Sequence, residues 1–216
     1  MSSNWKKTCK EYAEALLIAL ILAFFIRSFV VQAFKIPSGS MLETLQIGDH
    51  LLVNKFLYGV KLPLLRTTLI PVTKPHSQDI IVFKYPEDPS KDFIKRVIGI
   101  PGDTIVIKDQ NVFRNGKKLK EPYVQHTSSR INHTPFPMNL WPPHRYVPEA
   151  RDNLGPIEVP EGKYFVMGDN RDESYDSRFW GFVDHQAVVG KAWRIYWSWR
   201  GLQEIRWTRI GDYVGE

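Results

Sequence analysis

Residues 92–103 read DFIKRVIGIPGD, and they indicate the fold class of the chain. The apolar and β-branched residues at 93–100 are typical of a strand, and the Pro-Gly-Asp at 101–103 is a turn signal that ends it. Short runs of the same kind recur at residues 51–53, 80–83, 104–107, 163–167, 188–197 and 204–207. We therefore predict a mainly β fold, either a curved antiparallel β-sheet or a barrel-like domain.

An apolar segment precedes these strands at residues 15–34, which read ALLIALILAFFIRSFVVQAF. Twenty residues form about 30 Å of helix, which is enough to span a bilayer. Only residues 15–26 are free of charge, but Arg27 lies past the middle, so its stem can reach towards the interface. A buried core helix and a cleaved signal peptide, with small residues near a cleavage point at 31–33, are the alternatives. We predict one retained N-terminal transmembrane helix.

The charges around this segment predict its orientation and the division of the chain. Lysines within residues 1–14 precede it, and the positive-inside rule keeps such residues in the cytoplasm. We predict a cytoplasmic tail at 1–14, a transmembrane signal-anchor at 15–34 and an extracytoplasmic β-rich domain at 35–216. The Pro-rich residues 124–160 are expected to form a long surface excursion of that domain. This arrangement predicts a single-pass protein of the inner or plasma membrane.

Charge and cysteine content argue against several function classes. The 29 Lys and Arg residues exceed the 23 Asp and Glu residues, and a net charge of +6 can serve anionic lipid or solubility. The sequence has no arginine-rich helix, RNA-binding aromatic signature or zinc-finger spacing, so we expect no nucleic-acid partner. Cys9 is the only cysteine, which excludes an internal disulfide. His126, His133 and His144 fit no zinc pattern, and we predict no metal and no cofactor.

A candidate nucleophile lies just after the apolar segment, in residues 36–41, which read IPSGSM. A serine hydroxyl is a poor nucleophile until a base removes its proton. Three histidines, His50, His76 and His185, lie in the β-rich parts, but none stands in a recognisable triad motif. The other candidate base is Lys95, whose apolar neighbours would lower its pKa if its side chain points inward. These residues alone leave open which serine attacks and which base assists it.

A third stretch, residues 168–183, reads GDNRDESYDSRFWGFV and is dense in charges, serines and glycines. Together with PSGSM at 37–41 and KRVIGIPGD at 95–103, it resembles the bacterial type I signal peptidases, which are membrane-bound Ser/Lys proteases. The order of the motifs and the single anchor also fit this family, and the resemblance extends to about Trp197. It implies a membrane-anchored serine endopeptidase that cleaves signal peptides from exported preproteins after small residues at −1 and −3.

The resemblance also implies the roles of the reacting groups. Ser40 is the nucleophile, and Lys95 is the general base that takes its proton. The hydroxyl of Ser38 and the backbone N–H of Ser40 form the oxyanion hole. Glu43 stands where many members of the family carry proline.

Five further residues have supporting roles by the same resemblance. Ser174 hydrogen-bonds the lysine and orients it. Asp176 and Arg178 form an ion pair beside the site. Asp169 pairs with Arg96 and holds the third stretch against the lysine strand.

We expect apolar side chains near the serine to line the substrate pockets. They are Ile36, Met41, Leu45, Phe93 and Ile94. Small pockets discriminate by exclusion, because a larger substrate side chain clashes with their walls.

The implied partners are signal peptides of secreted preproteins, membrane lipid and the nearby protein translocation machinery. Three alternatives remain open. The first is a Ser/Lys protease with a narrower task, such as processing a conjugation or cytochrome precursor. The second is a non-catalytic, membrane-tethered β module that binds peptides. The third is a Ser/His hydrolase that uses His185.

Overall fold

The computed structural model describes residues 3–58, 60–61, 68–70, 73–201 and 204–215. Its first element is a long helix, α1 (Ser3–Phe25), followed by a π-helical turn (Ile26–Val30) and by strand β1 (Val31–Lys35). Within the described ranges, no helix is long and apolar enough to cross a membrane. The predicted span at 15–34 is not one continuous helix, because its last four residues lie in β1, where β-branched and aromatic side chains favour a strand.

Thirteen further strands follow in the described part of the chain. They are β2 (Asp49–Asn54), β3 (Val60–Lys61), β4 (Thr68–Ile70), β5 (Ile80–Tyr85), β6 (Asp88–Gly99), β7 (Thr104–Lys108), β8 (Asn111–Arg114), β9 (Lys117–Lys118), β10 (Leu154–Glu158), β11 (Lys163–Met167), β12 (Val183–Asp184), β13 (Val188–Arg200) and β14 (Glu204–Ile205). Two short helices, α2 (Pro148–Asp152) and α3 (Ser177–Trp180), lie between strands.

The strands form antiparallel sheets. The largest has the order β1-β2-β13-β5-β6-β11-β12, with β14 beside β13; β10-β7-β8-β9 form a second sheet and β3-β4 a third. The prediction of a mainly β fold is therefore confirmed. The barrel-like alternative is wrong for the described strands, because β1 and β12 are separated by five strands and end the path instead of pairing.

The Pro-rich excursion predicted at 124–160 is more regular than expected. It contains a 3₁₀ turn (Met138–Leu140), α2 and β10. Strand β10 belongs to the second sheet, where it pairs with β7. The apolar residues Leu154 and Ile157 explain this pairing, since both are buried in a core that β10 shares with β7.

Strand β6 places the candidate base in the middle of the large sheet. It pairs with β5 on one side and with β11 on the other. Successive side chains of a strand point to opposite faces, so Lys95 and Arg96 face different layers. Both side chains are nevertheless buried, with exposed fractions of 4% and 3%. Protein therefore covers both faces of β6 at this point.

Candidate active site

The loop that carries the candidate nucleophile joins β1 to β2 and is called here the Ser40 loop (residues 36–48). Its base is closed by hydrogen bonds from Ile36 N to Asp49 O (2.8 Å) and from Gly48 N to Ile36 O (3.0 Å). Gly48 has a φ of +91°, and a Cβ there would lie 2.1 Å from Trp199 O, so only glycine allows β13 to approach the loop this closely. The loop is thus tied to the large sheet at both ends.

Lys95 meets Ser40 directly. Its Nζ lies 2.7 Å from Ser40 Oγ, although the two residues are 55 positions apart in sequence. Nζ also donates to the carbonyl oxygen of Ile94 at 3.0 Å and lies 5.5 Å from the centroid of the Phe93 ring. Ser40 and Lys95 are both buried, with exposed fractions of 9% and 4%. This arrangement can transfer a proton from the hydroxyl to the amine.

The surroundings of Lys95 favour its neutral form. Burial lowers the pKa of the ammonium group to about 8. The carboxylates of Asp176 and Asp169 act in the opposite direction, and the guanidinium of Arg178 adds to the lowering of the pKa. An amine with a pKa near 8 is neutral in a substantial fraction of molecules at mildly alkaline pH, so it can accept the proton of Ser40.

Asp176 and Arg178 form a buried ion pair at the start of α3. The guanidinium donates Nε to Oδ1 and Nη2 to Oδ2, both at 2.8 Å, and neither residue is more than 1% exposed. Gly168 N also donates to the carboxylate (3.0 Å). Burial raises the pKa of Asp176, but the charge and hydrogen bonds of Arg178 outweigh it and leave the pKa below its ordinary value. Arg178 further donates to the carbonyl of Arg171 (2.6 Å), so the pair organises the backbone of the third stretch.

A second buried pair joins β6 to the same stretch. Arg96 donates Nε to Asp169 Oδ1 (2.8 Å) and Nη2 to Asp169 Oδ2 (2.6 Å), which is the bidentate geometry that guanidinium and carboxylate groups favour. The hydroxyl of Thr44, in the Ser40 loop, donates to Asp169 Oδ2 at 2.6 Å. The guanidinium lies 3.7 Å from the centroid of the Tyr123 ring. One carboxylate therefore connects the lysine strand, the Ser40 loop and the third stretch.

Asn170 and Gly168 lie against the Ser40 loop, although neither was a predicted site residue. Asn170 N donates to Ser40 O (3.2 Å), and Asn170 Nδ2 donates to Gly39 O (3.2 Å). A Cβ at Gly168 would lie 2.4 Å from Ser40 O and 2.3 Å from Ser174 Oγ, so this approach requires glycine. In the sequence, the density of polar residues and glycines in this stretch indicates a site. It does not indicate which part of the main chain these residues contact.

Ser174 departs from its expected contact. Its hydroxyl is buried and has no hydrogen-bond partner among the described residues, so the expected bond to Lys95 is absent. Lys95 Nζ donates to Ile94 O instead, which occupies part of its bonding capacity. Ser174 lies close enough to Asp176 to help hold the pKa of that carboxyl below its ordinary value.

The residues predicted to line pockets fall into two groups. Ile36, Met41 and Leu45 are at most 2% exposed and pack in the core beneath the Ser40 loop. Phe93 and Ile94 are partly exposed beside Lys95. Only the second group can contact a substrate directly, whereas the first can shape a pocket from beneath.

Ser38 lies exposed in the turn that carries the candidate nucleophile, two residues before it.

The histidines of the excursion lie beside carboxylates. His133 Nδ1 is 2.7 Å from Asp109, and His144 Nδ1 is 2.7 Å from Glu87. In the part of the chain that the structure describes, no group of three or more His, Cys, Asp or Glu residues could hold a metal ion.

Comparisons with known proteins agree with the motifs. A family model described as signal peptidase, peptidase S26, matches residues 9–197. The chain is 38% identical over 206 residues to signal peptidase I of Pseudomonas aeruginosa, covering 88% of this chain and 72% of that protein. It is 37% identical to signal peptidase I of Pseudomonas fluorescens with the same coverage. A solved structure of a signal peptidase I from Enterococcus faecalis matches with 34% identity and a TM-score of 0.43, covering 55% of this chain and 97% of that one.

Proposed function

This chain belongs to the peptidase S26 family of signal peptidases, and on that premise we propose that it is a membrane-anchored serine endopeptidase with a Ser40–Lys95 dyad. Its substrates are preproteins with signal peptides, cleaved after small residues at −1 and −3. The observation that carries the mechanism is the 2.7 Å separation of Lys95 Nζ and Ser40 Oγ, with the amine buried.

In the first half of the reaction, Ser40 Oγ attacks the scissile carbonyl carbon, and its proton passes to neutral Lys95 Nζ. The new C–O bond gives a tetrahedral intermediate, which collapses when the C–N bond breaks. Lys95 gives the proton to the leaving amine, so it ends this half neutral. In the second half, water attacks the carbonyl carbon of the Ser40 ester, and Lys95 takes a proton from it. The C–Oγ bond then breaks, the acyl product leaves as a carboxylic acid, and Lys95 returns the proton to Ser40 Oγ.

The backbone around Lys95 supports this sequence. A neutral amine has two N–H donors and one lone pair, and one donor is used by the carbonyl of Ile94 at 3.0 Å. This bond restricts rotation of the amine, so that its lone pair can face Ser40 Oγ. Orientation of this kind reduces the entropy lost in reaching the transition state.

The developing oxyanion is stabilised by the Ser38 hydroxyl and by the Ser40 N–H. Preorganised donors of this kind lower the barrier because they need little reorganisation when the charge appears. The bonds from Asn170 to the carbonyls of Gly39 and Ser40 support the proposal, because they hold the backbone on which both donors lie.

Membrane anchoring through the apolar segment before β1 is a further part of the proposal, since residues 31–34 pair with β2 in the large sheet. Leu16, Leu17 and Ile18 point in different directions from α1, and they are 61%, 58% and 59% exposed, which suits a lipid environment. Ser40 follows Val30, the last residue of the π-helical turn, by ten residues, a reach of at most about 36 Å, which supports a nucleophile near the outer membrane surface. That location also suits contact with membrane lipid and proximity to the translocation machinery.

We expect a protease added to intact spheroplasts to digest the β-rich domain and to spare residues 1–14. The lysines of that tail keep it in the cytoplasm, where the added protease has no access. Fragments can be identified with antibodies to tags placed at either end of the chain. Digestion of the tail alone would reverse the predicted orientation.

The proposed activity is tested with the purified full chain in detergent and a preprotein that carries an Ala-x-Ala cleavage site. We expect a single cut after that site, seen by mass spectrometry of both products. The matched control is Ser40→Ala, which keeps the volume of the site and should give no product. Cleavage by Ser40→Ala at the wild-type rate would refute Ser40 as the nucleophile. Profiling several precursors separates a general peptidase from one with a narrower task.

A further inference from the structure

The segment that follows β13 packs against the Ser40 loop, although it lies beyond residue 197, where the match to the family model ends. Ile195 N donates to Asp212 O (3.0 Å), and Val214 N donates to Trp193 O (3.0 Å), so the segment returns along β13. Val214 is 8% exposed and packs in the same core as Met41 of the loop. This segment therefore shares a core with the Ser40 loop.

Two arginines of the segment converge on one buried carboxylate. Asp49, the first residue of β2, is fully buried. It accepts from Arg209 Nη2 (2.6 Å), Arg206 Nη2 (3.1 Å) and the hydroxyl of Ser198 (2.6 Å). Burial raises the pKa of Asp49, but the bonds from Arg209 and Ser198 outweigh it and leave the pKa below its ordinary value. The carboxylate therefore stays ionised and fixes both guanidinium groups.

The same guanidinium groups hold the backbone of the Ser40 loop. Arg209 Nη2 donates to Thr44 O (3.0 Å), and Arg206 Nη2 donates to Ile47 O (2.8 Å). Arg206 Nη1 also donates to Gln46 Oε1 at 2.9 Å. Two of these three bonds are made to main-chain carbonyls of the loop, four and seven residues after Ser40.

Thr44 is held from two sides. Its hydroxyl donates to Asp169 Oδ2 (2.6 Å), while its carbonyl accepts from Arg209. Asp169 belongs to the stretch that supports Lys95, and Arg209 belongs to the segment beyond the family match. The two contacts therefore fix the Ser40 loop relative to the lysine strand.

We propose that Arg209, assisted by Arg206, is a positioning residue that sets the distance from Ser40 to Lys95 by holding the Thr44 and Ile47 carbonyls. The inference rests on the proposed function, since it concerns the geometry of that dyad. Neither arginine contacts the reacting atoms. A displacement of about 1 Å at a reacting group can cost about 10²-fold in rate, so loss of these bonds acts on turnover.

The test compares Arg209→Ala and Arg209→Lys with the exposed neighbour control Asp212→Asn, using the full chain and the preprotein assay. We expect kcat of Arg209→Ala to fall by about 10- to 100-fold with KM changed less than about twofold. Arg209→Lys should be intermediate, because an ammonium keeps the charge but lacks the two-nitrogen fork by which Nε and Nη2 bond the two oxygens of Asp49. Asp212→Asn should match the wild type.

A pH profile separates positioning from general loss of structure. Lys95 remains buried in Arg209→Ala. The pH at which kcat reaches half of its plateau should therefore stay near the wild-type value, while the plateau value of kcat falls. A shifted midpoint, or a wild-type kcat in folded Arg209→Ala, overturns the proposal.

If Arg209→Ala does not fold, the kcat of Arg209→Lys decides instead, and a wild-type value overturns the proposal. Inactive wild-type protein would refute the proposed function, whereas an unaffected Arg209→Ala beside an inactive Ser40→Ala refutes only the positioning role.

Discussion

Replacing Lys95 with alanine is expected to abolish preprotein cleavage, with a loss of about 10⁴-fold or more in kcat/KM. The lysine is the group within hydrogen-bond distance of Ser40 Oγ that can take its proton, and a serine hydroxyl without a base is a poor nucleophile. The loss is measured as the initial rate of product formation in the detergent assay, with the wild type and Ser40→Ala run in parallel.

Two matched variants separate the loss of the base from the loss of packing. Lys95→Met fills most of the buried volume with an apolar chain and should be inactive while its melting temperature is retained. Lys95→Arg keeps a positive charge, but a guanidinium is not deprotonated at working pH, so it should also be inactive. Full activity of Lys95→Ala would refute the Ser/Lys mechanism. His185→Ala would then test the Ser/His alternative.

The same lysine determines the expected pH dependence. Only neutral Lys95 accepts a proton, and burial lowers its pKa to about 8. The value of kcat/KM should therefore fall about tenfold for each pH unit below this pKa and should level off above it. A profile that stays flat down to pH 6 would contradict a lysine base with this pKa.

Replacing Ser38 with alanine is expected to lower kcat by about 10²- to 10³-fold with little change in KM. The loss of one oxyanion donor removes an interaction that strengthens only as the charge develops. Ser38 is exposed and lies two residues before Ser40 in the same turn, so its hydroxyl is available to a substrate carbonyl. Steady-state kinetics with a peptide substrate separate kcat from KM.

Ser38→Thr is the matched control, because it retains a hydroxyl at the same position. We expect it to keep most of the activity that Ser38→Ala loses. The remaining donor, the Ser40 N–H, should leave Ser38→Ala measurably more active than Ser40→Ala. A wild-type kcat for Ser38→Ala would remove this residue from the oxyanion hole.

Much of the fold was predictable from local patterns. The runs at 80–83, 104–107 and 163–167 all lie in strands. Asn115 and Gly116, a residue pair that favours a tight hairpin turn, join β8 to β9 with φ values of 52° and 75°. Local patterns predicted the strands less well where pairing between distant strands competes with the local preference of the residues. The last residues of the apolar segment pair with β2, and β10 pairs with β7 inside the supposed excursion.

The contacts of the candidate site were less predictable than its motifs. Contiguous stretches offered two candidate serines and a candidate lysine by residue type, and the resemblance to the signal peptidases assigned the roles to Ser40 and Lys95. The bond from Asn170 Nδ2 to Gly39 O spans 131 positions, and the bond from Arg209 to Thr44 O spans 165. Nothing in the local sequence specifies such partners, since they depend on how the strands are ordered in the sheet.

Local sequence predicts most of the strands, the turns and the family, because side-chain alternation and turn residues act over a few positions. The stretch at 92–103 accordingly predicts a strand that ends in a turn. The chemistry of Lys95 within it depends on the folded chain. Its low pKa follows from burial by the Ser40 loop and by the stretch at 168–183, and burial is a property of three-dimensional packing.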